Sequence, residues 1–303
     1  MKILVSSLAM VLLGLHLPAS GQPARPKITG IAHVRVYSTN LDDSTVFYGK
    51  IVGLGNGAVG CLGVSSSCFQ VNDHQRVEVT GAANPPAPNF LAEVAFATDD
   101  LTQMWHYLIA HGITVGAISK GSDGAPHFEL IDPEGQPLGF VQQAPKHSST
   151  PPAGALKEQI SNRLIHAGFV VRDSGAEDRF YRDLLGFRLY WRGGFKDDGS
   201  DWQAMQVPDG TDWVEYMLNI SPAADHKELG VQNHFSLGVV HMTPTFERLQ
   251  AHGLKTSDVP EIGRDGKMQF DIYDPDATRV EFMEFEPSQK PCCHPFTAPH
   301  PRP

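Results

Sequence analysis

Three histidines and four glutamates, His33, Glu78, Glu93, His166, Glu215, His234 and Glu281, carry side chains from which a metal centre or an acid–base site could be built. Two imidazoles with carboxylates suit Zn, Ni, Mn or Fe, and nitrogen and oxygen donors alone do not choose among these metals. A metal so held polarises a carbonyl or stabilises an enediolate, while a carboxylate beside it moves a proton. Glu281 shows why these positions stand out. It lies between Val280 and Phe282 in a β-rich run, and in a period-2 strand it points away from the face that its neighbours bury. A carboxylate in such a strand is costly to desolvate unless something positive pairs with it. Any one of the seven, taken alone, is more often a solvated residue on an open sheet face.

The elements that must position these residues recur along the chain. After a Pro-rich lead-in at 22–28, the pattern predicts a strand from Ile28 to Tyr37 and a helix capped around Asn40 that runs to about Val52, with Val46, Phe47 and Ile51 inward. Three strands follow at Ala58–Val64, Cys68–Asn72 and Gln75–Thr80, which completes one β-α-β-β-β unit. The order repeats with a strand at Leu91–Thr98, a helix at Leu101–Gly112, a strand at Ile113–Ile118 and a closing pair between His127 and Val141. Residues 144–160 are rich in Pro, Ser, Gly and Ala and read as a linker. The second half predicts strand Arg163–Arg172, helix Ser174–Leu185, and strands at Gly186–Trp191, Asp201–Val207 and Asp212–Leu218. Its last quarter predicts His234–Val240, helix Pro244–His252, Leu254–Ser257 and the strand pair Phe270–Phe285. Four copies of one unit mean that equivalent strand positions should be compared. The first strands then offer His33, Glu93, His166 and His234, and the last strands offer Glu78, Gly139, Glu215 and Glu281, at separations of 45, 46, 49 and 47 residues. Recurrence at matching positions argues for a shared site.

The rest of the chain bounds the answer. With 303 residues, 41% of them hydrophobic, it accommodates two globular domains. Lys2, the apolar run Ile3 to Leu17 and the small residues Ala19 and Gly21 make 1–21 a secretory signal peptide, with an uncleaved anchor as the plainer alternative. The protein is therefore expected to be exported, periplasmic or extracellular, with no membrane contact after cleavage. A net charge of −10 speaks against nucleic acid as a partner. Cys61 and Cys68 are near enough in sequence to pair across neighbouring strands in an oxidising compartment, or to remain as two buried thiols. Arg35, Tyr190, Arg192, Trp202 and Trp213 are candidates to line a ligand pocket. The Pro-rich tail at 288–303, with Cys292, Cys293 and His294, reads as a disordered end with an incidental cysteine pair.

Several motifs resemble those of the vicinal oxygen chelate superfamily, which includes glyoxalase I, bleomycin-resistance proteins, epimerases and extradiol dioxygenases. They are Ile31-Ala32-His33-Val34 with Phe47-Tyr48 and Gly53-Leu54, Leu164-Ile165-His166-Ala167 with Phe180-Tyr181, Asp132-Pro133-Glu134-Gly135-Gln136, and Asp274-Pro275-Asp276 running on to Glu281. The resemblance implies an α+β fold of two tandem glyoxalase-like domains, each a pair of β-α-β-β-β units with mixed sheets curled into a cup. Domain 1 would span 27–145 with a degenerate metal site, a linker 146–161, and domain 2 162–287. It also implies one divalent metal on His166, Glu215, His234 and Glu281, with Glu281 and Glu215 as the catalytic carboxylates. An exchanged arrangement would combine His33 and Glu78 with His234 and Glu281, and a homodimer is compatible with such an exchange. The activity implied is metal-dependent isomerase, lyase or proton-transfer chemistry on a small substrate that chelates through oxygens. Two other readings are an Fe(II) extradiol-type dioxygenase using His166, His234 and Glu281, and a non-catalytic binder of the bleomycin-resistance type.

Overall fold

A computed structural model describes residues 23–56, 66–85, 89–121, 124–142 and 159–303. The signal peptide expected at 1–21, the strand expected at 58–64, Cys61 and most of the expected linker lie outside the described residues. The first half runs β1 (Ile28–Ser38), α1 (Leu41–Val46), β2 (Gly55–Asn56), β3 (Ser66–Gln70), β4 (Arg76–Gly81), β5 (Leu91–Thr98), α2 (Leu101–Ala110), β6 (Ser119–Lys120), β7 (Pro126–Ile131) and β8 (Pro137–Gln142). The second half runs β9 (Arg163–Val170), α3 (Ser174–Glu177), β10 (Arg188–Gly193), β11 (Trp202–Gln206), β12 (Trp213–Met217), α4 (His226–Gln232), β13 (His234–Val239), α5 (Met242–Ala251), β14 (Glu261–Ile262), β15 (Met268–Tyr273) and β16 (Arg279–Glu284). Each half forms one mixed sheet, ordered β2-β3-β4-β1-β5-β8-β7-β6 and β10-β11-β12-β9-β13-β16-β15-β14. This is the expected α+β architecture of two tandem glyoxalase-like domains. The first and last strands of each unit are parallel neighbours, and the two units of a half join through an antiparallel pair, β1 with β5 and β9 with β13. All equivalent candidate positions therefore fall on the four central strands of a sheet.

Asn40 accepts the N–H groups of Asp42 and Asp43 and so starts α1. The helix then widens into a π-helical turn over Phe47–Ile51, with Val52 N–H donating to the Phe47 carbonyl at 2.9 Å. The extra residue in that turn rotates the inward face. Tyr48 is fully buried as a result, while Val46, expected inside, is 54% exposed. α3 widens in the same way over Asp178–Leu184 and buries Tyr181.

These two tyrosines tie the halves together. Tyr48 Oη donates to Asp274 at 2.8 Å, and Tyr181 Oη donates to Asp132 at 3.2 Å, each reaching the Asp-Pro turn of the opposite half. One hydrophobic core runs across both sheets, with the Tyr48 ring stacked on Phe235 at 6.3 Å and Phe96 edge-on to Phe187 at 5.4 Å. Burial lifts both aspartates from 3.8 to about 6. Between those values the native state holds protons that the unfolded chain releases, so these sites make stability fall as pH rises from about 4 to about 6. Glu78, held at about 2, acts in the opposite sense below its ordinary 4.5. Asp132→Asn should therefore flatten the decline of melting temperature between pH 4 and 6, and Tyr181→Phe should cost ~1–3 kcal/mol. A slope unchanged in Asp132→Asn would show that Asp132 does not titrate in this window.

Some elements differ from expectation. α4 carried no strong apolar period and was not foreseen. Residues 113–118 contribute only a bridge from Val115 to Leu130, with β6 beginning at Ser119, and the pairing expected at Leu254–Ser257 falls at β14. The tail is not a disordered end. Cys292, Phe296 and Ala298 pack against a second cluster built on Tyr190, Trp191 and Trp213, because a few rings and small side chains suffice to dock a segment whose prolines leave few donors to satisfy. Cys292 and Cys293 are bonded to each other, and Cys68 is also in a disulfide. No helix among the described residues is long and apolar enough to cross a membrane.

Candidate metal centre

Register fixes the site before any side chain is considered. In the second sheet His234 faces Gly168 across β13 and β9, and Ser236 faces His166. Glu215 on β12 pairs with Gly168, and Glu281 on β16 pairs with Ser236. Four strands thus present four candidate ligands to one face. His166, Glu215 and His234 bring ligand atoms within 4.8 Å of one another. His166 Nε2 lies 3.1 Å from His234 Nε2 and 3.1 Å from Glu281 Oε2, and Glu215 Oε2 lies 3.5 Å from His234 Nε2.

Local contacts orient these groups. His234 Nδ1–H donates to the Gln232 carbonyl at 3.0 Å, which leaves the Nε2 lone pair directed at the cluster. Gly168 makes room for that ring, since a Cβ there would lie 2.1 Å from His234 Cε1. His166 stacks on Trp213 with ring centres 4.7 Å apart. Burial pushes the His234 imidazole well below its ordinary value, and Arg279 and His166 add to that effect. Burial alone would lift the Glu281 carboxyl, yet His166 beside it and the Arg279 guanidinium outweigh that and hold the group low. Glu281 Oε2 is buried and off hydrogen-bond geometry with any partner. An orphaned carboxylate oxygen beside two facing imidazole nitrogens is a donor set that fits a divalent first-row metal. Arg279 Nη2 donates to His234 Nε2 at 2.8 Å, so that lone pair is shared with either the guanidinium or a metal. Asp271, 3.2 Å from Arg279 Nη1, keeps a partner for the guanidinium in either case.

The carboxylates open onto a cavity of about 390 Å³, within the range of small-molecule sites. Its walls include Tyr190, Trp191, Phe195, Trp202, Trp213 and Phe296, and its polar lining includes Glu215, Glu281, Arg264 and Arg279. Tyr190, Trp202 and Trp213 were foreseen. Arg192 is an exposed residue outside this lining. Arg279 was missed although it stands two residues before Glu281, and period 2 places it on the same face. Asp271 was legible in the same way, as the cross-strand partner of Glu281. Phe296 left no such signal, because only docking of the tail brings it here.

The first half places different residues at the equivalent positions. Glu93 occupies the register position of His234, and Arg35 that of Gly168. Arg35 Nη1 lies 2.6 Å from Glu93 and its Nε donates to Glu78 at 3.0 Å, while Arg76 Nε also donates to Glu78 at 2.7 Å. Gly139 leaves the space that the Glu93 carboxylate enters, since a Cβ there would lie 2.2 Å from Glu93 Oε1. His33 Nε2 sits 3.5 Å from Glu93 Oε2. Arg35, expected in the ligand pocket, is instead the cation that the two carboxylates of this buried cluster share. His33 and Glu78 are engaged within the first sheet and do not join His234 and Glu281 in this chain, as the exchanged arrangement would require.

The profile of the Glyoxalase/Bleomycin resistance protein/Dioxygenase superfamily matches residues 163–282. No curated protein matches the sequence. Among solved structures, a variant of homoprotocatechuate 2,3-dioxygenase from B. fuscum in complex with HPCA is similar with a TM-score of 0.66 and 18% identity, over 86% of this chain and 72% of that one. The anaerobic complex of the Brevibacterium fuscum enzyme with 3,4-dihydroxyphenylacetate gives a TM-score of 0.62 and 20% identity, over 86% of this chain and 82% of that one. At these identities the likeness concerns the fold.

Proposed function

The chain carries the tandem fold of the glyoxalase and dioxygenase superfamily and, in residues 163–282, its sequence profile, and on that premise we propose a metal-dependent enzyme for a small substrate that binds through neighbouring oxygens. The observation that carries this reading is the convergence of His166, Glu215, His234 and Glu281 at the floor of an aromatic cavity. Those four residues would hold one divalent metal, with His234 Nε2 exchanging its hydrogen bond from Arg279 for the metal. When bound, the metal supplies polarisation of the substrate oxygens and stabilisation of negative charge developing on them.

The chain's own groups do the rest. Glu215, whose side chain is 16% exposed, is the carboxylate best placed to take a proton from a carbon next to a substrate carbonyl. Glu281 is 5% exposed and is suited to hold rather than to shuttle. Trp202 and Trp213 orient a flat substrate and keep water out, and Arg264 and Arg279 offset negative charge carried in with it.

The test is solvent deuterium exchange at the carbon next to the carbonyl of α-hydroxy ketones by metal-loaded protein. Glu215→Gln should slow that exchange by roughly 10²–10⁴-fold. A second reading, extradiol-type ring cleavage with Fe²⁺, is supported by the dioxygenase fold and by a two-histidine, one-carboxylate subset in His166, His234 and Glu281. Oxygen uptake with catechols after anaerobic iron loading, without deuterium exchange, would replace the first reading by the second. Ligand binding with neither activity, unchanged in metal-free protein, would leave a non-catalytic binder.

A further inference from the structure

Three walls of the cavity meet at one disulfide. The loop after β10 carries Phe195, the turn after β14 carries Arg264, and the carboxy-terminal segment carries Phe296, and all three line the cavity. The Cys292–Cys293 bridge lies among them. Cys292 N–H donates to the Arg264 carbonyl at 2.8 Å. Cys293 Sγ lies 3.8 Å from Arg264 Nη2 and 3.7 Å from the Lys196 carbonyl oxygen. Arg264 Nε in turn donates to the Gly194 carbonyl at 3.0 Å, and Nη2 pairs with Asp197 at 2.5 Å.

A ring closed across adjacent residues restricts the peptide between them, and the backbone here takes a form that non-glycine residues seldom adopt. Cys293 has φ +68°. His294 N–H donates to the Cys292 carbonyl at 2.6 Å, making a γ-turn centred on Cys293 that is strained for an L side chain. On both sides the segment is tied down. Ser288 and Gln289 N–H groups donate to the Gly266 carbonyl at 2.9 and 3.1 Å, and Thr297 N–H donates to the Tyr190 carbonyl at 2.9 Å. Between these anchors the bridged turn decides where Phe296 falls. Its ring lies 4.8 Å from Tyr190 and 6.4 Å from Trp191, and 5.6 Å from the Lys267 ammonium. Lys267 is fully buried among the rings of Tyr190, Trp213 and Phe296, and its Nζ has no hydrogen-bond partner.

We propose that the Cys292–Cys293 bridge is a redox-modification site that clamps Phe296 against the cavity wall when oxidised, and whose reduction by a small dithiol loosens that wall and uncovers Lys267. A thiolate of the dithiol attacks one bridge sulfur, the S–S bond breaks, and the released cysteine thiolate takes up a proton. The second thiol of the reductant then displaces the other cysteine, which leaves two cysteine thiols and a cyclic disulfide. Both cysteines are half-buried, so the reagent has access. With the ring open, Cys293 can return to negative φ and the chain entering Phe296 is redirected.

The experiment uses the full chain, without substrate, and reads Lys267 acetylation by mass spectrometry together with acrylamide quenching of tryptophan fluorescence. Dithiothreitol should speed Lys267 labelling about tenfold and raise quenching. The Cys292→Ser/Cys293→Ser variant should label at the fast rate and ignore the reductant, which separates this bridge from the disulfide of Cys68. The proposal is overturned if wild-type labelling is unchanged while alkylation shows both thiols free. It is equally overturned if the double variant is protected like the oxidised protein, or if the two cysteines are thiols as purified. Because no arm depends on metal or turnover, failure here leaves the metal-centre reading untouched, and failure of that reading leaves this one standing.

Discussion

His234→Ala should purify without metal, where the unaltered chain, prepared without chelator, carries about one divalent ion. Loss of a ligand nitrogen should weaken the site by more than the roughly 10–100-fold that follows loss of an outer hydrogen bond to a ligand. Gly168→Ala provides a second route to the same result. It leaves all four donors in the sequence but places a Cβ 2.1 Å from the His234 ring, so the imidazole must move. Metal added at a thousand times its Kd should stabilise the unaltered chain by about 4 kcal/mol and leave both variants unaffected. Elemental analysis and melting curves check this. An unaltered chain that takes up no ion even after reloading would remove the metal centre altogether.

Arg35→Ala should destabilise the fold by about 3–5 kcal/mol at neutral pH, the cost of leaving the buried Glu93 carboxylate without its guanidinium while Glu78 keeps only Arg76. Glu78 and Glu93 are 1% and 2% exposed, and Arg35 is the cation they share. Burial alone would raise the Glu78 carboxyl, but His33, Arg76 and Arg35 together hold it at about 2. In the unaltered chain this lowered value contributes stability above pH 4.5, lost as pH falls toward 2. Without Arg35 the carboxylates bind protons more readily, so the penalty should shrink as the solution is made acidic. Urea unfolding at pH 7 and pH 4 measures it. A penalty equal at both values would mean that the loss is one of packing and not of charge.

The two clusters show how one register serves two ends. At corresponding positions of β9 and β1 the chain has Gly168 or Arg35, and on β13 and β5 it has His234 or Glu93. In the second sheet the glycine leaves space for an imidazole, and the cluster is the one proposed to hold a metal. In the first, the protein supplies the cation covalently, as a guanidinium.

What the sequence determined by itself was the repeated unit, the strands that bear the candidates, and the face each one occupies. These follow from a period of two and from matching spacings, both local properties of the chain. The departure of the first half at Gly139 and Glu93 was visible, but the role of Arg35 was not, because nothing in sequence tells a pocket cation from one drawn between two buried carboxylates. Tertiary structure alone decided that His33 and Glu78 stay within the first sheet and that α1 and α3 widen to turn Tyr48 and Tyr181 toward the opposite half. It also decided that the tail is a cavity wall. A tail of prolines, cysteines and one phenylalanine has no period and little local preference. Its position comes from ring contacts with Tyr190 and Trp191, about a hundred residues away in sequence, and long-range packing of that kind has no signature in the segment itself.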